Sequence, residues 1–134
     1  MRLGISACLL GERVRYDGGH RLDAYLVNTL GGVVEWVPVC AEAECGLPTP
    51  REPMHLVGDV ASPRLVTLRT HVDHTGRMRR WAAKRLRELE RKNLAGFIFK
   101  SKSPSCGVRG VRVYEVGGKV RKVGRGLWAA AFIK

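Results

Sequence analysis

The sequence predicts an α/β fold: a small, mainly parallel, Rossmann-like sheet flanked by helices, with a C-terminal β-hairpin. Three observations carry this. Short apolar runs at residues 2–7, 33–39 and 95–99 read as buried strands. They alternate with helical patterns, and strand–helix–strand alternation argues for parallel pairing. Each run also leads into a cysteine-bearing loop, at Cys8, Cys40 and Cys106. Sites in such sheets lie beyond the carboxyl ends of the strands. Neighbouring strands sit about 4.8 Å apart, so three thiols at adjacent strand ends could meet at one small object.

Taken in order, residues 2–7 form the first strand, and Asp17-Gly18-Gly19 marks a turn before His20. His20 alone says little. Asp23 is placed to cap a helix from Ala24 to about Leu30, stopped by Gly31-Gly32, with Tyr25, Leu26 and Leu30 toward the core. The second strand ends at Val39. Pro48, Pro50 and Pro53 make the following segment a stiff loop. Residues 54–69 read as a short excursion with one extended piece, Leu65-Val66-Thr67-Leu68. A long helix begins at His74 or Thr75 and ends near Asn93, with Met78, Trp81, Ala82, Leu86 and Leu89 on one face. The third strand then leads to Lys100-Ser101-Lys102-Ser103-Pro104-Ser105-Cys106-Gly107. Alternation on both sides of Gly117-Gly118 predicts a hairpin over residues 111–123. Gly124-Arg125-Gly126 opens a terminal helix from Leu127 to Ile133, where backbone amides could hold an anion.

The chain has 134 residues, which by length is a single domain spanning 1–134, and its 45% apolar content can fill a core. No stretch is long and apolar enough to span a membrane. The apolar run before Cys8 is too short for a signal peptide, so a cytoplasmic location is expected. There, four cysteines favour metal or catalytic work over disulfides. With 24 Lys+Arg against 12 Asp+Glu, the net charge of +12 suits a polyanion such as RNA, or equally a merely soluble basic surface. The same two alternatives apply to the basic side of the long helix.

No C-x-x-C pair exists, which counts against a zinc ribbon. Thiolates select zinc or iron–sulfur clusters. All four cysteines could close a structural zinc site, three could hold a cluster with one iron open, and buried thiols with no role are the third possibility.

Five segments, Ser6–Gly11, Arg15–His20, Val37–Glu42, Gly46–Arg51 and Lys100–Gly107, resemble the thiouracil/thiouridine desulfidase family, long catalogued only as a domain of unknown function. The likeness covers nearly the whole chain in the same motif order. Glu42–Gly46, Trp81–Leu86 and Phe97–Lys100 resemble the branch in which a second uncharacterised domain follows. The resemblance implies a 4Fe-4S cluster on Cys8, Cys40 and Cys106, with the fourth iron open. It implies a redox-neutral exchange in which a thiolated pyrimidine loses sulfide and gains oxygen from water. The substrate would be 2- or 4-thiouracil, or 4-thiouridine in a nucleotide or tRNA. Glu42 matches an acidic position suited to a general base, and Ser103 a serine suited to orienting water or substrate. Asp17, Thr49 and Ser105 are expected at the substrate pocket. Two positions depart from the pattern. Ala41 replaces a common proline, and Cys45 stands where shorter members carry glycine; it is expected to remain outside the ligand set. The alternative function is a non-enzymatic basic RNA-binding module with a structural zinc or closed iron–sulfur site.

Overall fold

The structure is a computed structural model that describes residues 1–12, 14–19, 21–115 and 118–133. The expectations for His20 and for the Val116-Gly117 part of the hairpin turn fall outside these residues. Two sheets organise the chain. The first is parallel, with β1 (Arg2–Ser6) between β2 (Glu35–Val39) and β5 (Gly96–Ile98). A Cβ at Gly4 would stand 2.2 Å from the Phe97 ring, so only glycine lets β5 close against β1 there. Ala7 leaves the expected strand and opens a 3₁₀ turn, Ala7–Leu10.

The second sheet has the order β4-β3-β6-β7, built from β3 (Met54–Asp59), β4 (Ser62–Thr67), β6 (Val111–Tyr114) and β7 (Val120–Gly124). The C-terminal hairpin is therefore present, but it does not stand alone. β6 pairs in parallel with β3, and the 54–69 segment is a full antiparallel hairpin and not a single extended piece.

Among the described residues, three α-helices cover the sheets. The one-turn α1 (Ala41–Glu44) forms before the prolines begin, and Glu44 reaches back to accept the Cys40 backbone N–H at 3.0 Å. α2 (Thr75–Glu90) stops short of Asn93, which adopts a left-handed φ of 51°. Its expected apolar face is the one that packs: Met78, Ala82 and Leu89 are buried, with Trp81 and Leu86 against the same core. α3 (Leu127–Ile133) buries Trp128 beside Trp81 and Phe97, at ring separations of 4.8 and 5.9 Å.

Residues 24–30 are helical but wound as a π-helix over Leu26–Leu30. Tyr25 is 69% exposed, so it does not face the core as the helical pattern suggested; the Leu26 side chain lies outside the described positions. Among the described residues, no helix is long and apolar enough to cross a membrane.

Candidate active site

The carboxyl ends of β1, β2 and β5 open into one cleft of about 300 Å³. Cys8, in the turn after β1, Cys40, directly after β2, and Cys106, in the loop beyond β5, all line it. Chain topology thus brings three sequence-distant thiols to one place, as parallel strand ends require. The 100–107 loop is tied to β1 by the Lys100 N–H, which donates to Ser6 Oγ at 2.9 Å.

All four cysteines are free thiols. Burial pushes the Cys8 and Cys40 thiols up, opposed by the positive charges of Lys100 and Arg15 at Cys8 and of Arg51 at Cys40. The Cys106 thiol is pushed up to about 12, chiefly by burial, against hydrogen bonds from Ser6 and Ser105. Cys45 does not line the cleft. Its thiol donates to the Glu42 carbonyl at 3.3 Å and packs against the hydrophobic core.

Glu42 enters the cleft from α1, and its carboxylate is held at both oxygens. Arg51 Nε donates to Oε1 at 2.9 Å, and Ser105 Oγ donates to Oε2 at 2.9 Å. Side-chain exposure is 6% for Arg51 and 14% for Glu42, so this ion pair is largely shielded from water. Arg51 also donates to the carbonyls of Val14 and Pro48 and to Thr49 Oγ1, fastening the proline-rich loop to the Tyr16 loop.

Ser103 Oγ accepts the backbone N–H groups of Ser105 and Cys106, at 3.2 and 3.1 Å, and lies 3.0 Å from Ser105 Oγ. A carboxylate can only accept. With the Ser105 proton given to Glu42, the Ser103 hydroxyl must donate to Ser105. The result is a directed chain, Ser103 to Ser105 to Glu42.

Several expectations change in detail. Ser105 lines the cleft but is 2% exposed, and its hydroxyl is committed to Glu42 and Ser103. Thr49 and Asp17 are not among the lining residues. Thr49 is exposed and spends its hydroxyl on Arg51, while Asp17 closes its own turn by accepting the Gly19 N–H at 2.8 Å and pairs with Arg15 at 3.6 Å. Each contacts a residue that lines the cleft, Arg51 and Arg15 respectively.

The anion site expected at the start of α3 is already filled by protein. The amides of Gly126, Leu127 and Trp128 donate to the carbonyls of Gly107, Pro104 and Ser105. Arg51 and Lys100 are among the cleft residues that had no role in the sequence reading. The signals for Arg51 were its place within the stiff proline loop and in the resembling segment Gly46–Arg51. Lys100 lines the cleft beside Cys8, and burial lowers its pKa.

The donor set suits a polynuclear, thiophilic group. Among the described residues, no three His, Cys, Asp or Glu side chains converge tightly enough for a single metal ion. Three thiols lining one cleft are the donor type that holds an iron–sulfur cluster, which is bound by cysteine thiolates. Lys100, Arg15 and Arg51 supply positive charge beside those thiolates. A closed four-cysteine zinc site does not fit, because Cys45 faces the core.

Fold and cleft together define an α/β protein with a thiol-lined site at parallel strand ends. The 2-thiouracil desulfurase family pattern matches residues 3–134, and the chain belongs to that family. Among solved structures it is similar to the 4Fe-4S-dependent thiouracil desulfidase TudS, with a TM-score of 0.78 and 32% identity, over 98% of this chain and 84% of that one. It is also 32% identical over 108 residues to the uncharacterised protein YbbK of Bacillus subtilis strain 168, covering 77% of this chain and 71% of that protein.

Proposed function

We propose that this protein is a 4Fe-4S-dependent desulfidase that replaces the sulfur of a thiolated pyrimidine with oxygen from water and releases sulfide. The convergence of Cys8, Cys40 and Cys106 on the cleft that also holds Glu42 carries this reading. Cys8, Cys40 and Cys106 would hold the cluster. When bound, it supplies a Lewis-acid iron with an affinity for sulfur.

The remaining work falls to the chain's own groups. Glu42 is the general base. Two of its roughly four acceptor sites are used by Arg51 and Ser105, and the others can take a proton from the attacking water. Arg51 fixes the carboxylate, since a buried ion pair with several further hydrogen bonds holds its geometry. Once Glu42 takes a proton it can donate to Ser105 Oγ, which keeps the neutral acid in place, while Ser103 stays fixed by the two backbone N–H groups it accepts. Lys100, with its pKa lowered by burial, is the acid beside Cys8 that can protonate departing sulfide. Ser103 also anchors the backbone that presents Cys106.

Protein prepared without oxygen should contain iron and sulfide and should release sulfide from 2- or 4-thiouracil or from 4-thiouridine. Iron-loaded protein that frees no sulfide from any of these would refute the enzymatic reading.

A further inference from the structure

A second cleft of about 360 Å³ opens beside the first. Met54, Lys102 and Pro104 line both. Its floor is the solvent face of the second sheet. Along β6, Val111 and Val113 are buried while Arg112 and Tyr114 point outward. The parallel register sets Leu56 opposite Val113, which places His55 on the same outer face as Arg112 and Tyr114. The His55 and Tyr114 rings lie 4.8 Å apart at 44°. β7 adds Lys122, and the Cys106 loop adds Lys102 and Pro104 as a wall.

Among the described residues, three cations and two rings line this cleft and no acidic side chain does. His55 Nδ1 is buried without a hydrogen-bond partner among the described residues. Burial and the nearby His71 lower the His55 pKa, favouring the neutral ring. Lys102, standing between the two clefts, has a φ of 61°, a left-handed conformation that costs energy in a non-glycine residue. That conformation holds Lys102 where it faces both spaces.

Aromatic faces beside clustered cations are how proteins hold single-stranded nucleic acid: rings stack bases, and Lys and Arg take the phosphates. We infer that the second cleft seats a nucleotide adjoining the thiolated pyrimidine of a polynucleotide, with its base against Tyr114 and His55 and its phosphates at Lys102, Arg112 and Lys122. The identity of the base in the first cleft rests on the desulfidase reading; polynucleotide binding in the second does not.

Fluorescein-labelled hexauridylate, which carries no sulfur, tests the cleft by anisotropy on the full, anaerobically prepared chain. It should bind, and Tyr114→Ala and Arg112→Ala should each weaken binding roughly tenfold. Tyr114→Phe should retain affinity, because it keeps the ring. Lys84→Ala, on the basic side of α2, should leave binding unchanged. Arg112→Ala should also slow sulfide release from a thiouridine-containing oligonucleotide while sparing free thiouracil. Hexauridylate that does not bind, or that binds both alanine variants like the wild type, would overturn the inference. So would uridine monophosphate competing as well as the hexamer does. Absence of sulfide release from every substrate would refute the desulfidase reading and leave the binding result standing.

Discussion

Glu42 shows what a single side chain contributes. Its carboxylate is held by Arg51 on one oxygen and Ser105 on the other, so Glu42→Gln preserves shape while removing the proposed general base. The expected outcome is a loss of sulfide release of about 100-fold or more, at unchanged iron content per chain. Ser105→Ala interrupts the chain of hydroxyls and should cost about tenfold. The double variant should fall no further than Glu42→Gln alone, because the two side chains act as one unit. Additive losses would show that Ser105 acts independently. The cysteines were legible in the sequence because each follows an apolar run, and a parallel sheet aligns the ends of such runs. Arg51 and Lys100 were not. An arginine or lysine in a loop carries no local mark of what it will touch, and their roles depend on contacts made across the cleft.

Among the elements, α3 explains how the Cys106 loop is held. Its first amides bond that loop, and a Cβ at Gly126 would stand 2.4 Å from the Ser105 carbonyl carbon. Gly126→Ala must therefore displace the Ser105-Cys106 backbone. It should destabilise the fold by more than about 2 kcal/mol and lower iron content, measured by denaturant melts and metal analysis. Intact stability with full iron loading would refute this docking role. The start of α2 is set differently. Asp73 Oδ1 accepts the Thr75 N–H at 2.9 Å, and Thr75 Oγ1 accepts the buried Leu65 N–H at 2.7 Å. Hydrogen bonds from Thr75 hold the Asp73 pKa below its ordinary 3.8. A depressed carboxyl stabilises the fold above the unfolded value and loses that contribution as pH falls below it. Stability should therefore drop as pH falls through and below 3.8, and Asp73→Ala, costing about 1 kcal/mol at neutral pH, should flatten that part of the profile. The helix itself was legible to within a few residues because its apolar positions repeat at helical spacing. The 54–67 hairpin was not. Its turn at Val60-Ala61 lacks the usual Asn-Gly or Gly-Gly marks, and Pro63 argues against a strand. Pro63 is tolerated because β4 is an edge strand.

At the scale of the molecule, the parallel sheet could be read from the chain because its strands carry their own apolar runs and end in cysteines. The second sheet depends on β3 pairing with β6, strands about half the chain apart, and no local pattern encodes that choice. The same long-range closure decides how a cluster should affect stability. Cys8, Cys40 and Cys106 span most of the chain and sit after the three strands of one sheet. A group bound to all three cross-links the folded state at sites that the unfolded chain holds far apart, so its binding energy adds to folding. Without it, the thiols, all raised by burial, stay protonated at neutral pH and do not cross-link the chain. Removing the iron with a chelator under reducing, oxygen-free conditions should lower the melting temperature by about 10 °C, the scale of a long-loop cross-link worth about 3 kcal/mol or more. Cys45→Ala should leave that difference intact, and Cys106→Ala should abolish it. Superimposable melts with and without iron would mean that the three thiols do not share one group.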